Sequence, residues 1–377
     1  MKRVPGNLQD ISSRKKPLFS PQIVILTSLF LLLSCIGMMN LYSAGTESSH
    51  FYTQLKHMGL GFLVFCLIGW VVPLHIFNTY AYVLYGGVLC SLVAVLIFGH
   101  SAGGAKRWLD LGIIGGQPSE FAKLTMSCFI AKFFYAHRSL HTYELKDLLF
   151  VFIAIAAYFV LIFIQPDFGT AGVCLLIASA QLAFIRFRIP KKVLIALSVG
   201  ASLALAVGWL FLLRPYQKLR ILNLINPDLD PMGSGYNSLQ SLVAIGSGSF
   251  WGKGFFKGTQ TQLQFLPARH TDFIFSVFAE EQGFMGVSLV FLVFSAIAYI
   301  SLNIARDAKN TFDALLAIGV LSLIYIEFSI NIAMVFGMFP VVGVPLPFFS
   351  YGGTALITAC ASMGLLVAIE RDGFREN

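Results

Sequence analysis

Residues 149–183 read LFVFIAIAAYFVLIFI-QPDFG-TAGVCLLIASAQLA, two long apolar runs joined at Gln165-Pro166-Asp167-Phe168-Gly169. Extended to their polar flanks, the runs cover residues 147–165 and 169–186. A helix rises about 1.5 Å per residue, so about 20 apolar residues cross a bilayer core of about 30 Å. The stretch therefore predicts two membrane-crossing helices folded against each other across a tight turn.

Working outward, comparable runs occupy 20–42, 56–74, 78–99, 118–137, 190–213, 272–304, 312–339 and 347–369, giving about ten spans. The run at 272–304 is long for one span and is expected to tilt or to begin outside the hydrocarbon. Composition agrees: 57% of the 377 residues are hydrophobic and 12% are charged, with a mean hydropathy of +0.78. Soluble domains carry about 25% charged residues, so this chain cannot cover a soluble surface. The fold class is an all-α integral membrane protein. One polytopic domain, residues 20–370, lies between a basic tail at 1–19 and a short tail at 371–377.

Lys2, Arg3, Arg14, Lys15 and Lys16 precede the first apolar run. That resembles a signal peptide, but the run is too long and lacks an A-x-A exit, so it reads as an uncleaved span. The six cysteines all fall in apolar stretches without a CxxC pair, which suggests packing rather than disulfides or zinc.

Ten spans place both termini on one side. Fifteen Lys and Arg lie on that side and nine on the other, with Lys123 and Lys132 inside the fourth span, which accounts for all 26. The excess puts both termini in the cytoplasm. The net charge of +8 is then mostly topological, and a nucleic-acid partner is not expected. The outer side holds the long connections: 100–117, about 214–271 between spans 7 and 8, and 340–352. Long outer loops are where a membrane enzyme keeps its chemistry.

Four outer clusters carry polar residues that lipid does not tolerate. Gly103-Gly104-Ala105-Lys106-Arg107-Trp108 leads into Gln117-Pro118-Ser119-Glu120-Phe121-Ala122-Lys123. Pro118 suits a first helical turn, and Glu120 and Lys123 then share a face. They form either a structural ion pair or, with Lys106 and Arg107, a pyrophosphate site. In the second cluster Asp167 either caps a helix or lines a cavity. The third, the long loop, contains Arg220 and closes on Leu266-Pro267-Ala268-Arg269-His270-Thr271-Asp272-Phe273. Asp228-x-Asp230 looks like a metal-binding DxD, but its flanking prolines argue for an ordinary turn. Asp272 is the stronger carboxylate, placed where the loop enters the eighth span. On a continuous helix Glu280 and Glu281 would lie roughly 12–14 Å deeper, serving to orient neighbouring helices. The fourth cluster, Gly343-Val344-Pro345-Leu346-Pro347-Phe348-Phe349-Ser350-Tyr351-Gly352-Gly353, must be buried in protein or line a cavity.

Together these clusters carry a resemblance. GAKRW, QPSEFAKL, QPDFGTA, YQKLRI, QSLVAIGSG, LPARHTDFIF and GVPLPFFSYGG, spread over about residues 20–370, resemble the SEDS family of cell-wall polymerases, its RodA-like elongation branch more than its division branch. The resemblance implies ten spans and peptidoglycan glycosyltransferase activity on lipid II at the bacterial cytoplasmic (inner) membrane. It also implies that Asp272 is the essential carboxylate, that Lys123 and Glu120 line the cavity, and that Asp167 is the QPDFGT aspartate. Lys106, Arg107, Arg220 and His270 join them as expected substrate-binding residues. Ala268 stands where relatives often carry Glu. No tightly bound cofactor is expected; a divalent cation, Mg or Mn, is compatible. Ser12-x-x-Lys15 lies in the basic tail without a K-T-G, so cross-linking falls to a partner. The resemblance implies a class B penicillin-binding protein, together with elongation-complex membrane proteins. The rival reading is a flippase for lipid-linked sugars. It would use the same basic cavity but show the internal repeat many transporters have, and none is visible.

Overall fold

Lipid offers the backbone no hydrogen-bond partners, so each apolar run closes its own ladder as a helix. In the computed structural model this holds along the described chain. Residues 20–373 are described, apart from 46–47, 103–104, 111–114, 138–142, 188–207, 209–212, 214, 227–229, 231–232 and 264. Helix α1 (Pro21–Ala44) starts with Pro at its first turn, and the Ser20 hydroxyl accepts from the Ile23 N–H. Then follow α2 (Ser48–Cys66), a π turn (Leu67–Val71), α3 (Leu74–Phe98), α4 (Pro118–Ala136), α5 (Leu149–Ile164) and α6 (Phe168–Ala183). The long outer loop folds into α7 (Pro215–Ile225) and α8 (Ser234–Ser247). The chain ends with α9 (Ile274–Arg306), α10 (Thr311–Val335) and α11 (Gly353–Asp372).

Among the described residues, seven helices are long and apolar enough to cross a membrane: α1, α2 with its π turn, α3, α5 with the turn before it, α9, α10 and α11. Helix α6 is shorter, and α4 is long enough but carries Glu120, Lys123 and Lys132. The protein is thus a mostly helical, multi-pass membrane protein. The expected span at 190–213 lies almost wholly outside the described residues, as do the tail at 1–19 and Asp228. Helix α11 is buried over nearly its whole length and packs on α2, α10 and α4 at the bundle centre.

Three features depart from the sequence reading. The outer connection 100–117 is not plain loop: β1 (His100–Ala102), β2 (Ala105–Asp110) and β3 (Gly115–Gly116) form a small antiparallel sheet in the order β1-β2-β3. Helix α2 begins at Ser48 rather than near 56, so Lys56 lies within a helix and not in an outer loop. Its added turns are polar because they face protein. The His50 ring stacks on His270 at 4.9 Å, and Gln54 donates to the Ser350 carbonyl at 3.1 Å. Hydropathy cannot see such compensation.

The third departure is in α9. Gly283 interrupts it at φ 62°, ψ −164°, a conformation open essentially to glycine alone. The chain folds back there. The rings of Phe275 and Phe291 lie 6.4 Å apart, although 16 residues of straight helix would separate them by about 24 Å. The break leaves backbone groups without helical partners, and the outer loop supplies them. Phe284 and Met285 N–H groups donate to the carbonyls of Ser249 and Phe250, while Lys253 and Gly254 N–H groups donate to Glu280 and Glu281. The expectation that the glutamates lie deeper than Asp272 is therefore reversed. Asn40 of α1 meets Ile274, whereas Ser43, closer to the outer end of α1, meets Glu281. The first arm climbs outward from Asp272, and 284–306 then descends along α10.

Candidate active site

Asp272 sits at the inner end of that first arm, in a turn rather than on a helix. Three contacts fix its backbone. The Asn331 amide of α10 donates to the Asp272 carbonyl at 3.0 Å and to the Val344 carbonyl at 2.8 Å. The Ser350 hydroxyl donates to the Thr271 carbonyl at 2.7 Å, and the Tyr351 N–H to the His270 carbonyl at 2.9 Å. The proline- and glycine-rich segment 340–352 thus clasps the motif. Gly343, at φ 74°, faces the carboxylate so closely that a Cβ there would lie 3.5 Å from Oδ2.

Cations surround this carboxylate. Arg220 of α7 donates from Nη1 to the Val341 carbonyl at 2.9 Å, which brings it to the clasp. Arg107 of β2 donates from Nη2 to the Pro166 carbonyl at 2.7 Å, and its Nη1 lies 3.6 Å from Asp167 Oδ1. Burial pushes the Asp272 carboxyl above the ordinary range, while Arg220 and then Arg107 draw it back. Asp167 takes the capping role that the sequence offered, and it also joins two of the polar clusters. It caps α6 by accepting from Thr170 N–H and accepts from the Gln117 amide at 2.9 Å, tying the second cluster to the first.

Lys123 and Glu120 pair as the helical spacing predicts, at 2.7 Å, but they are not a simple pair. Glu327 of α10 binds the same ammonium, so two buried carboxylates share one buried lysine. Glu327 is one turn from Asn331 and hence one turn from the Asp272 backbone. The sequence reading missed both residues, although an ionisable side chain alone in an apolar span was a signal in plain view. The His270 ring stacks on His50 at 4.9 Å beside Tyr351. Lys106 pairs through its backbone with Ser101; its side chain lies outside the described residues.

The arrangement is one sheltered carboxylate among guanidinium groups, with a charge triad a turn below. Such a cleft suits a reaction that takes a proton from a hydroxyl and leaves an anion. Among the described residues, no group of three His, Cys, Asp or Glu is gathered to hold a metal ion. A lone carboxylate beside two guanidinium groups does not build a protein-held metal site.

The fold and cleft define a multi-pass membrane protein with a carboxylate–arginine site. Residues 17–373 match the family of cell cycle proteins that groups FtsW, RodA and SpoVE, and the chain belongs to that family. Peptidoglycan glycosyltransferase MrdB of Escherichia coli (strain K12) is 37% identical over 328 residues, 87% of either chain. A solved structure described as structural coordination of polymerization and crosslinking by a peptidoglycan synthase complex contains a chain that superposes with a TM-score of 0.78. It is 29% identical, and the match covers 93% of this chain and 98% of that one. Rod shape determining protein RodA of Thermus thermophilus superposes at 0.68 with 26% identity, covering 92% and 96%.

Proposed function

We propose that this chain is a peptidoglycan glycosyltransferase that polymerises lipid II at the outer face of the bacterial inner membrane, serving cell elongation. Family membership and relatives named as peptidoglycan glycosyltransferases support the enzyme class and do not favour the flippase alternative. The observation that carries the mechanism is the placement of Asp272 between Arg220, Arg107 and the Gly343 backbone.

Asp272 acts as general base, taking the proton of the acceptor hydroxyl as its oxygen bonds to the donor's anomeric carbon. The bond from that carbon to the pyrophosphate oxygen breaks, and the electron pair leaves with the pyrophosphate. Arg220 and Arg107 stabilise the departing charge, and Lys123 joins them where the pyrophosphate competes with Glu120 and Glu327 for its ammonium. One carboxylate attacking through an acceptor inverts the anomeric carbon, turning an α-linked donor into a β-linked glycan. Glycosidases instead need two carboxylates. Ten spans, cytoplasmic termini and a class B penicillin-binding protein as cross-linking partner complete the reading. Likeness to a chain from a complex that coordinates polymerization with crosslinking supports such a partner. The test is polymerisation of purified lipid II by the purified chain. Glycan strands from the wild-type chain and none from Asp272→Asn support the proposal; lipid II moved across vesicles without polymer overturns it.

A further inference from the structure

On the face of the bundle opposite Asp272, a cavity of about 340 Å³ is lined by Tyr82, Phe133, His137, Asp147 and Phe150. Three helices build it. Tyr82 comes from α3, Phe133 from the last turn of α4 and His137 from its C-cap, Asp147 from the short 3-10 turn Leu145–Leu148 and Phe150 from the start of α5. The rings of Phe133 and Phe150 lie 6.2 Å apart, and those of Tyr82 and Phe150 meet edge-on at 6.4 Å. The His137 ring stacks on Phe133 at 4.4 Å and ties its Nδ1 to the Phe133 carbonyl at 2.9 Å. Phe150 stays 55% exposed and Tyr82 39%, so the ring faces remain open to a guest.

Aromatic faces around a carboxylate make a receptor for an organic cation, because the ring quadrupole and the anion both attract positive charge. Asp147 accepts the Glu144 N–H at 3.0 Å as part of a helix cap. The neighbouring Lys146 spends its ammonium on Glu144 at 2.9 Å. A second cation stands close by. Lys132, next to Phe133, donates to Asn78 at 2.9 Å, and Asn78 is one turn from Tyr82 along α3. A guest carrying both an ammonium and a phosphate finds a partner for the first in the cavity and for the second on the adjoining turn of α4.

We propose that this cavity binds the headgroup of phosphatidylethanolamine from the leaflet on that side, the ammonium among Tyr82, Phe133 and Phe150 against Asp147. The phosphate lies toward Lys132. The place is right for a lipid: Asp147 lies at the polar start of α5, where interfacial aromatic residues meet headgroups. An aromatic belt accounts for the rings and the helix cap for Asp147; the cavity brings the two together, which neither requires.

The experiment uses the delipidated full chain in detergent, titrated with dioleoylphosphatidylethanolamine, its N-acetylated form or dioleoylphosphatidylglycerol. Bound lipid is counted by native mass spectrometry. Phosphatidylethanolamine should bind more tightly than the other two. Asp147→Asn, which keeps an oxygen for the helix cap, and Phe150→Leu should each weaken it about tenfold, leaving phosphatidylglycerol unchanged. Equal binding of the N-acetylated lipid by the wild-type chain overturns the proposal whatever the variants do. So does undiminished phosphatidylethanolamine binding by both variants, or occupation of the cavity by a basic peptide that the lipid cannot displace.

Discussion

Lys123 and Glu327 are 204 residues apart and joined by a buried ion pair, with Glu120 on the other side of the same ammonium. Three charges thus sit together where lipid-exposed charge would cost about 2.5–3.5 kcal/mol each on insertion scales. The pairing changes what substitution should do. Glu120→Gln leaves Lys123 with a carboxylate, whereas Lys123→Gln leaves two carboxylates facing each other without a counterion.

Lys123→Gln is therefore expected to lower the melting temperature in detergent more than Glu120→Gln does. Breaking a buried ion pair costs about 3–5 kcal/mol. A direct role at the pyrophosphate requires lipid II turnover to fall further than stability does. Activity that merely tracks melting temperature across Lys123→Gln, Glu120→Gln and Glu327→Gln would assign the triad to scaffolding alone.

Asp272→Asn should fold and insert normally, since the contact from Asn331 goes to the backbone carbonyl and survives. Polymerisation should drop by at least about 10²-fold, the usual contribution of a positioned base. Strand length on a gel reads the result, and substantial polymer from a well-folded Asn variant removes the base from the mechanism.

The base must be ionised, and burial raises its pKa while Arg220 and Arg107 lower it. Activity should therefore fall as pH drops through a value above the usual carboxylate range. Arg220→Gln removes the larger of the two opposing charges and should move that acidic limb to higher pH. A limb that stays put in the variant, at equal protein stability, would show that the two groups do not sense each other.

Gly283→Ala should destabilise the protein by at least about 1–3 kcal/mol, the usual cost of a strained backbone conformation. Steric conflict adds to this, because a Cβ there would lie 2.2 Å from the Gly252 nitrogen. A circular-dichroism melt of the variant that overlays the wild-type curve would contradict the folded-back hinge.

A reporter fused within 232–250 should read as extracytoplasmic and one at the C-terminus as cytoplasmic. Moving Lys56 from loop to helix takes one cation from the outer count and strengthens the asymmetry behind this orientation. The opposite readings would place the active cleft on the wrong face for the proposed substrate.

The helices were legible because lipid demands long apolar runs, and Asp272, Lys123 and Asp167 because ionisable groups stand out against such runs. What escaped is what arises from compensation between distant segments. His50 and Gln54 look like loop until residues 350–352 are packed on them. Residues 272–304 look like one helix because Phe275 and Phe291 are equally apolar, and only Gly283 hints at reversal. His270 sits in the expected motif, and the stacking of its ring on His50 is a contact that the sequence did not signal.

The loop 249–254 supplies the hydrogen bonds that the broken helix lacks, so loop, hinge and arm are tied into one hydrogen-bonded unit. Asp272 is the far end of that unit, a lever whose handle lies on the outer surface. The reacting group thus belongs mechanically to the outside of the protein, although it lies chemically within the bundle.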